Sequence, residues 1–220
     1  MKLLLIAAAI VACASAQPGP DVMANMQAVS QALGVSCEYC HAAPRGSGLP
    51  EPKKEIARAM MAMTRQINGS VQAATSKSGL EATTVQCITC HRGVPIPKPL
   101  PEIITATIRE KGVAAAIAQY RDLRKQYYGR QAYDFGDGTL LALAQILTAS
   151  KPDEAIALLE LNVEFNPQSA RSYAALGYAY TRKFDDATAI KYLEKALEIE
   201  PENGVIRGQL EQLKSYRRKQ

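Results

Sequence analysis

Cys37-Glu38-Tyr39-Cys40-His41 and Cys87-Ile88-Thr89-Cys90-His91 are two copies of one pattern, Cys-x-x-Cys-His, in a chain of 220 residues. Cysteines three apart on a helical turn share a face. Each pair can therefore form thioethers to the two vinyl groups of one porphyrin. The histidine that follows projects its imidazole toward the iron. This is the attachment signature of c-type haem. Two other chemistries use similar spacing: four thiolates on one zinc, and redox disulfides. The only two histidines of the chain both stand inside these motifs, which favours two covalently bound c-type haems over either alternative.

Composition divides the chain around these motifs. Residues 17–100 hold five Met, both His, four Cys and a single aromatic, Tyr39, whereas residues 101–220 hold nine Tyr and all three Phe. Between them Pro95-Ile96-Pro97-Lys98-Pro99-Leu100-Pro101 alternates proline in a way that favours a stiff polyproline II spacer. The expectation is an all-α protein: a dihaem domain over 17–94, a Pro-rich linker over 95–101, and a helical-repeat domain over 102–220 ending in a basic tail. So few aromatics over the first domain make a thin core, and small cores usually need staples. Haem would supply one.

The net charge is +5, and Lys214, Arg217, Arg218 and Lys219 crowd the last seven residues. The rest is close to neutral and gives no argument for a nucleic-acid partner. At the other end Met1-Lys2 precedes an apolar run, Leu3 to Ala12, too short to span a bilayer. Residues 1–16 therefore read as an export signal. Ala14-Ser15-Ala16 is a cleavage site that would leave Gln17 first. Ile10-Val11-Ala12-Cys13 instead resembles a lipobox, which would make Cys13 a lipidated anchor. Both readings export the chain, to the periplasm or to a membrane facing it.

With two histidines the irons cannot both take a second one, and methionine is the usual remaining ligand. Val22, Met26, Val29 and Leu33 fall at spacing 0, 4, 7, 11, and Gly34 suits the cap of that helix. Ile56, Met60, Met63 and Ile67 repeat the spacing, with Pro52 suited to the helix start and Gly69 to its end. Met26 is thus expected on the iron of His41 and Met60 on the iron of His91. Met63 is the runner-up; Met23 and Met61 lie off the stripe. The plainer reading is that these methionines only pack a core. Arg58 and Arg65 share another face of the second helix, either as partners of haem propionates or as a solvated basic face.

The order Met26…Cys37-x-x-Cys40-His41, then Met60 to Asn68, then Cys87-x-x-Cys90-His91-Arg92-Gly93, resembles one half of the tetrahaem cytochrome subunit of photosynthetic reaction centres over about residues 20–100. The resemblance implies helix–turn–Cys-x-x-Cys-His units with methionine ligands from the preceding helices, hence Met26 and Met60. Only one half is present, and the family's extra distal histidine is absent.

Ser172-Tyr173-Ala174-Ala175-Leu176-Gly177-Tyr178-Ala179-Tyr180, with Ala189, Ala196 and Pro201, resembles a tetratricopeptide repeat. Pro167 and Pro201 stand one 34-residue period apart. The preceding unit, about 136–167, keeps Ala155 but carries Asn162 where a small residue is expected. Residues 102–128 suggest another helix pair broken at Lys111-Gly112, and 202–216 a capping helix. Arg171, Tyr178 and Arg182 could line a concave face for protein docking, or be ordinary solvated side chains.

The combined expectation is an exported, membrane-associated electron carrier rather than an enzyme. It would meet redox partner proteins in a photosynthetic or respiratory chain. Two alternatives stand beside it: a dihaem peroxidase, and a repeat scaffold in which the haems are structural.

Overall fold

A computed structural model describes residues 20–44, 47 and 50–218. Every regular element in them is helical: α1 (Pro20–Leu33), a 3₁₀ turn (Cys37–Tyr39), α2 (Pro52–Ser78), α3 (Cys87–His91), α4 (Leu100–Tyr127), α5 (Asp137–Leu147), α6 (Pro152–Phe165), α7 (Ala170–Arg182), α8 (Asp186–Ile199) and α9 (Gly204–Arg217). The fold is all-α, as expected. The expected export signal, with Cys13, lies outside the described residues. Two compact units divide between Pro95 and Ile96.

In the first unit α1 ends in a Schellman cap. Gly34 takes φ +65°, its amide donates to Gln31 O at 3.2 Å, and the Val35 amide donates to Ser30 O at 3.1 Å. The cap also receives α3's following loop, whose Gly93 amide donates to Ala32 O at 2.8 Å. A Cβ on Gly34 would stand 2.3 Å from Gly93 O, so both the dihedral and the approach require glycine. Ala32, His91 and Val94 are buried, while α2 buries no residue at all.

Helix α2 does not stop at Gly69, as its sequence suggested. It runs on to Ser78 and ends where Gly79 takes φ +67°. A mid-helix glycine costs only about 1 kcal/mol, and a helix stops when the chain needs the left-handed turn, not wherever glycine permits one. Next to Gly69, the Asn68 amide binds the backbone of Val85 twice: Nδ2 donates to Val85 O at 2.8 Å, and Oδ1 accepts from the Val85 amide at 2.7 Å. That clamp holds the segment leading into α3.

In the second unit Leu100 and Pro101, read as linker, form the first turn of α4. Proline suits a helix's first turn because the amide it lacks has no partner there. Leu100 is buried. At Gly112 (φ 82°, ψ 171°) the helix breaks into the expected pair. Helices α5–α6 and α7–α8 are antiparallel pairs, with α9 after them. The Leu176-Gly177 pair closes α7 on α8: a Cβ at Gly177 would stand 2.8 Å from Leu193 Cγ. Ala189 and Ala196 are fully buried. Small residues let the paired helices approach, and neighbouring pairs share one core.

Asn162, the mismatch in the earlier repeat, is fully buried and fully bonded. Its Nδ2 donates to Asp137 O at 2.9 Å and to Ser172 Oγ at 2.8 Å. Ser169 Oγ donates to Asp137 Oδ2 at 2.5 Å, and Arg171 Nη2 donates to Asp137 Oδ1 at 2.7 Å. A polar stitch of α5, α6 and α7 occupies the place of a small residue.

Thermal unfolding should separate these positions. Gly177→Ala should lower stability by about 1–3 kcal/mol through overpacking. Asn162→Ala, which removes the buried hydrogen bonds to Asp137 O and Ser172 Oγ, should lower it by a similar ~1–3 kcal/mol. Gly69→Ala, with nothing within 4 Å of the added Cβ, should hold or raise Tm.

A second test uses acid. The Ser169 hydroxyl, and after it Arg171, hold the Asp137 carboxyl below its ordinary value against the upward push of burial. A depressed carboxylate contributes stability above its ordinary pKa of about 3.9, and loses it as pH falls through the folded value. Denaturant midpoints between about pH 5 and pH 2 should therefore fall less steeply in Asp137→Asn than in the parent.

Candidate functional site

The first Cys-x-x-Cys-His forms a 3₁₀ turn. The amides of Cys40 and His41 donate to Cys37 O at 3.3 and 3.0 Å. Cys37 is exposed and Cys40 half-buried. The N-terminal end of α2 lies beside it. Lys53 Nζ sits 3.7 Å from the centroid of the Tyr39 ring, and Glu51 Oε1 lies 3.9 Å from His41 Nδ1. Lys54 donates to Glu51 at 2.8 Å and holds that carboxyl below its ordinary value.

The second motif is a single helical turn closed by a capping box. Thr89's amide donates to the Gln86 side chain, and the Gln86 amide donates to Thr89 Oγ1 at 3.0 Å. His91 is buried, and its Nδ1 lies 3.0 Å from Val94 O. A carbonyl oxygen only accepts, so Nδ1 carries the proton and Nε2 keeps its lone pair. That is the tautomer a metal-ligating histidine needs.

A cavity of about 700 Å³ opens among α1, α2 and the second motif, bordered by Met26, Val29, Met61, Arg65, Cys87 and Ile88. Its volume lies within the ~300–1,000 Å³ common for cofactor-sized sites. It is the second motif's cysteine, not the first's, that shares this space with Met26. Met61, placed off the apolar stripe by phase, is half-buried here.

The faces of α2 explain that difference. Its half-buried face is Ala57, Met61, Thr64, Asn68 and Val71, at spacing 0, 4, 7, 11, 14. The more apolar stripe, Ile56, Met60, Met63 and Ile67, is exposed, with Met60 37% and Ile56 62% accessible. Thioethers and branched aliphatics left bare in the polypeptide, beside free thiols and an Nε2 lone pair, suit a large flat apolar group with a soft-ligand iron. The donor set fits haem.

The two arginines separate. Arg65 borders the cavity, whereas Arg58 is exposed and donates to Glu55 Oε1 at 2.5 Å. Met23 is 44% exposed. The sequence did not single out Asn68, Glu51 or the Gln86–Thr89 box. Their partners lie in segments whose approach has no local signature, apart from the three-residue spacing of the box.

In the second unit Arg171 and Tyr178 border a concave cavity of about 740 Å³ together with Gln145, Asn203 and Gln209. Arg182 is exposed and is not among its lining residues.

Comparison with known proteins agrees with both halves. Residues 50–132 match the family described as photosynthetic reaction centre cytochrome C subunit, and residues 170–203 match the tetratricopeptide repeat. A 69-residue stretch is 36% identical to cytochrome c-554 of Chloroflexus aurantiacus, covering 31% of this chain and 16% of that protein. A 92-residue stretch is 37% identical to cellulose synthase operon protein C of Escherichia coli K12, covering 40% of this chain and 7% of that protein. The chain thus spans a small part of the length of these curated relatives. The family match begins and ends later than the resemblance over 20–100 suggested: it includes Cys87–His91, leaves out Cys37–His41 and runs into α4. Residues 50–132 are similar to reaction-centre cytochrome c subunits, and residues 170–203 form a tetratricopeptide repeat.

Proposed function

We propose that this chain is an exported dihaem c-type cytochrome that carries electrons singly between redox proteins, with its repeat unit serving as a docking module. The observation that carries the reading is His91: buried, in the second motif, with Nδ1–H committed to Val94 O and Nε2 left to ligate. Covalent haem at each motif would supply one-electron chemistry. Cys37 and Cys40, and Cys87 and Cys90, provide the thioethers; His41 and His91 provide the proximal nitrogens.

Met26 and Met60 are the proposed distal ligands. Met26 borders the cavity shared with Cys87, which supports it as a ligand but not its pairing with His41, and Met60 stands on a bare apolar stripe. Met61 competes with Met60 because it borders the same cavity as Cys87. Arg65 is the better propionate partner of the two arginines, since Arg58 is already paired with Glu55. The electron-transport chain it serves is photosynthetic or respiratory. In the periplasm, Cys13 is proposed to hold it to a membrane.

Intact mass and a haem stain test the core of this reading. Two covalent haems are expected, and a bound zinc without haem overturns it. Carbon monoxide binding by the reduced protein then tests the distal ligands. Met26→Ala and Met60→Ala should each create one carbon monoxide-binding haem, while Met23→Ala should not. Should Met61→Ala open an iron and Met60→Ala leave it closed, the ligand belongs to the half-buried face of α2.

Cell fractionation tests the anchor. Cys13→Ser should move the protein from the membrane fraction to the soluble one in high salt. A wild type that begins at Gln17 and is soluble would leave a freely diffusing carrier.

A further inference from the structure

Phe184 is 94% exposed, and its φ of +60° lies in the left-handed region. A bulky residue there is strained, and glycine is the residue that fits. The α7–α8 turn has no use for the ring. It closes through backbone bonds, the Phe184 amide to Thr181 O and the Asp185 amide to Tyr180 O, both at 3.0 Å. With no burial to offset strain or hydration, the ring's role lies outside the fold.

The surroundings of this turn are cationic. Lys183 Nζ, 2.5 Å from Asp153 Oδ1, ties the turn to the start of α6, and Lys214 Nζ, 2.6 Å from Glu194 Oε1, pairs the last turn of α9 with α8. The acids here are mostly engaged: Asp153 by Lys183, Glu154 by Lys151, and Asp185 as the cap of Thr188's amide. Arg182, Arg217 and Arg218 form no ion pair among the described residues, and they outnumber the two carboxylates left to oppose them, Asp185, whose charge its hydrogen bond leaves intact, and Asp186. Tyr216, on the last turn of α9, is 58% exposed.

We propose that this end of the repeat unit docks on an anionic lipid surface. Phe184 and Tyr216 enter the interface, and Arg182, Arg217 and Arg218 face the headgroups. Aromatic rings partition to the boundary between water and hydrocarbon. Cations near an anionic leaflet are attracted over a Debye length. A ring standing free on a turn tip suits a partner without fixed shape. The inference rests on the membrane association proposed above and supplies a contact that does not depend on acylation of Cys13.

The test is flotation of the full haem-loaded chain carrying Cys13→Ser, so that no acyl chain contributes. The probes are vesicles of phosphatidylcholine with phosphatidylglycerol, and of phosphatidylcholine alone. The parent should bind only the anionic vesicles and be released by salt. F184G removes both ring and strain; it should melt no lower than the parent yet bind about tenfold more weakly. R217E combined with R218E should lose at least about twentyfold. Equal binding to both vesicles, no binding to either, or F184G binding like the parent would overturn the proposal. So would equal affinity for soluble polyglutamate unaffected by F184G. Neither haem count nor Cys13 processing decides these outcomes, so the two readings fail separately.

Discussion

Where the end of α1 meets the loop after α3, the Gly93 amide donates to Ala32 O at 2.8 Å, and the chain passes so close to Gly34 that a Cβ there would lie 2.3 Å from Gly93 O. The first unit depends on this backbone crossing. Two glycines at positive φ make it possible, and it draws the second motif against the first helix. His91, two residues before Gly93, is buried next to it, and Val94, one residue after, supplies the carbonyl that sets the histidine's tautomer. The cavity bordered by Met26 and Cys87 is the space left once backbones, rather than side chains, have made the contact.

The two units solve burial in opposite ways. In the second, alanines and Gly177 bring helices together until Leu158, Leu159, Leu176 and Tyr120 are fully enclosed. In the first, a 27-residue helix buries nothing, and its most apolar stripe faces outward. A polypeptide alone would leave about the transfer energy of several aliphatic side chains unrealised in this arrangement. The arrangement makes sense when a large apolar group attached to the cysteines completes the core. The thin composition of residues 17–100 and the bare methionines of α2 are one fact seen at two levels.

Buried polarity marks the same contrast. Asn162, Ser169, Ser172 and Asp137 form a closed set of donors and acceptors that fixes how α5, α6 and α7 meet. Their cooperation holds only because each polar atom has a partner; a half-satisfied network would be worse than an apolar one. In the first unit the comparable device is the Asn68–Val85 clamp, which spans a loop instead of a core.

Local chemistry was readable from residue order: the two Cys-x-x-Cys-His turns, the cap at Gly34, the break at Gly112, the tetratricopeptide pattern with its alanines and Leu-Gly pair. Each rests on spacing within a few residues, where backbone geometry leaves few alternatives. Tertiary structure decided what depends on distant partners. It carried α2 past Gly69, because nothing there needed a left-handed turn. It put Met61 rather than Met60 at the cavity, because periodicity locates an apolar face but not which neighbour covers it. It filled a small-residue position with Asn162, because Asp137 and Ser172 arrive from other helices. And it gave His91 its tautomer, because the Nδ1 proton is donated to a carbonyl three residues away whose direction only the folded loop supplies.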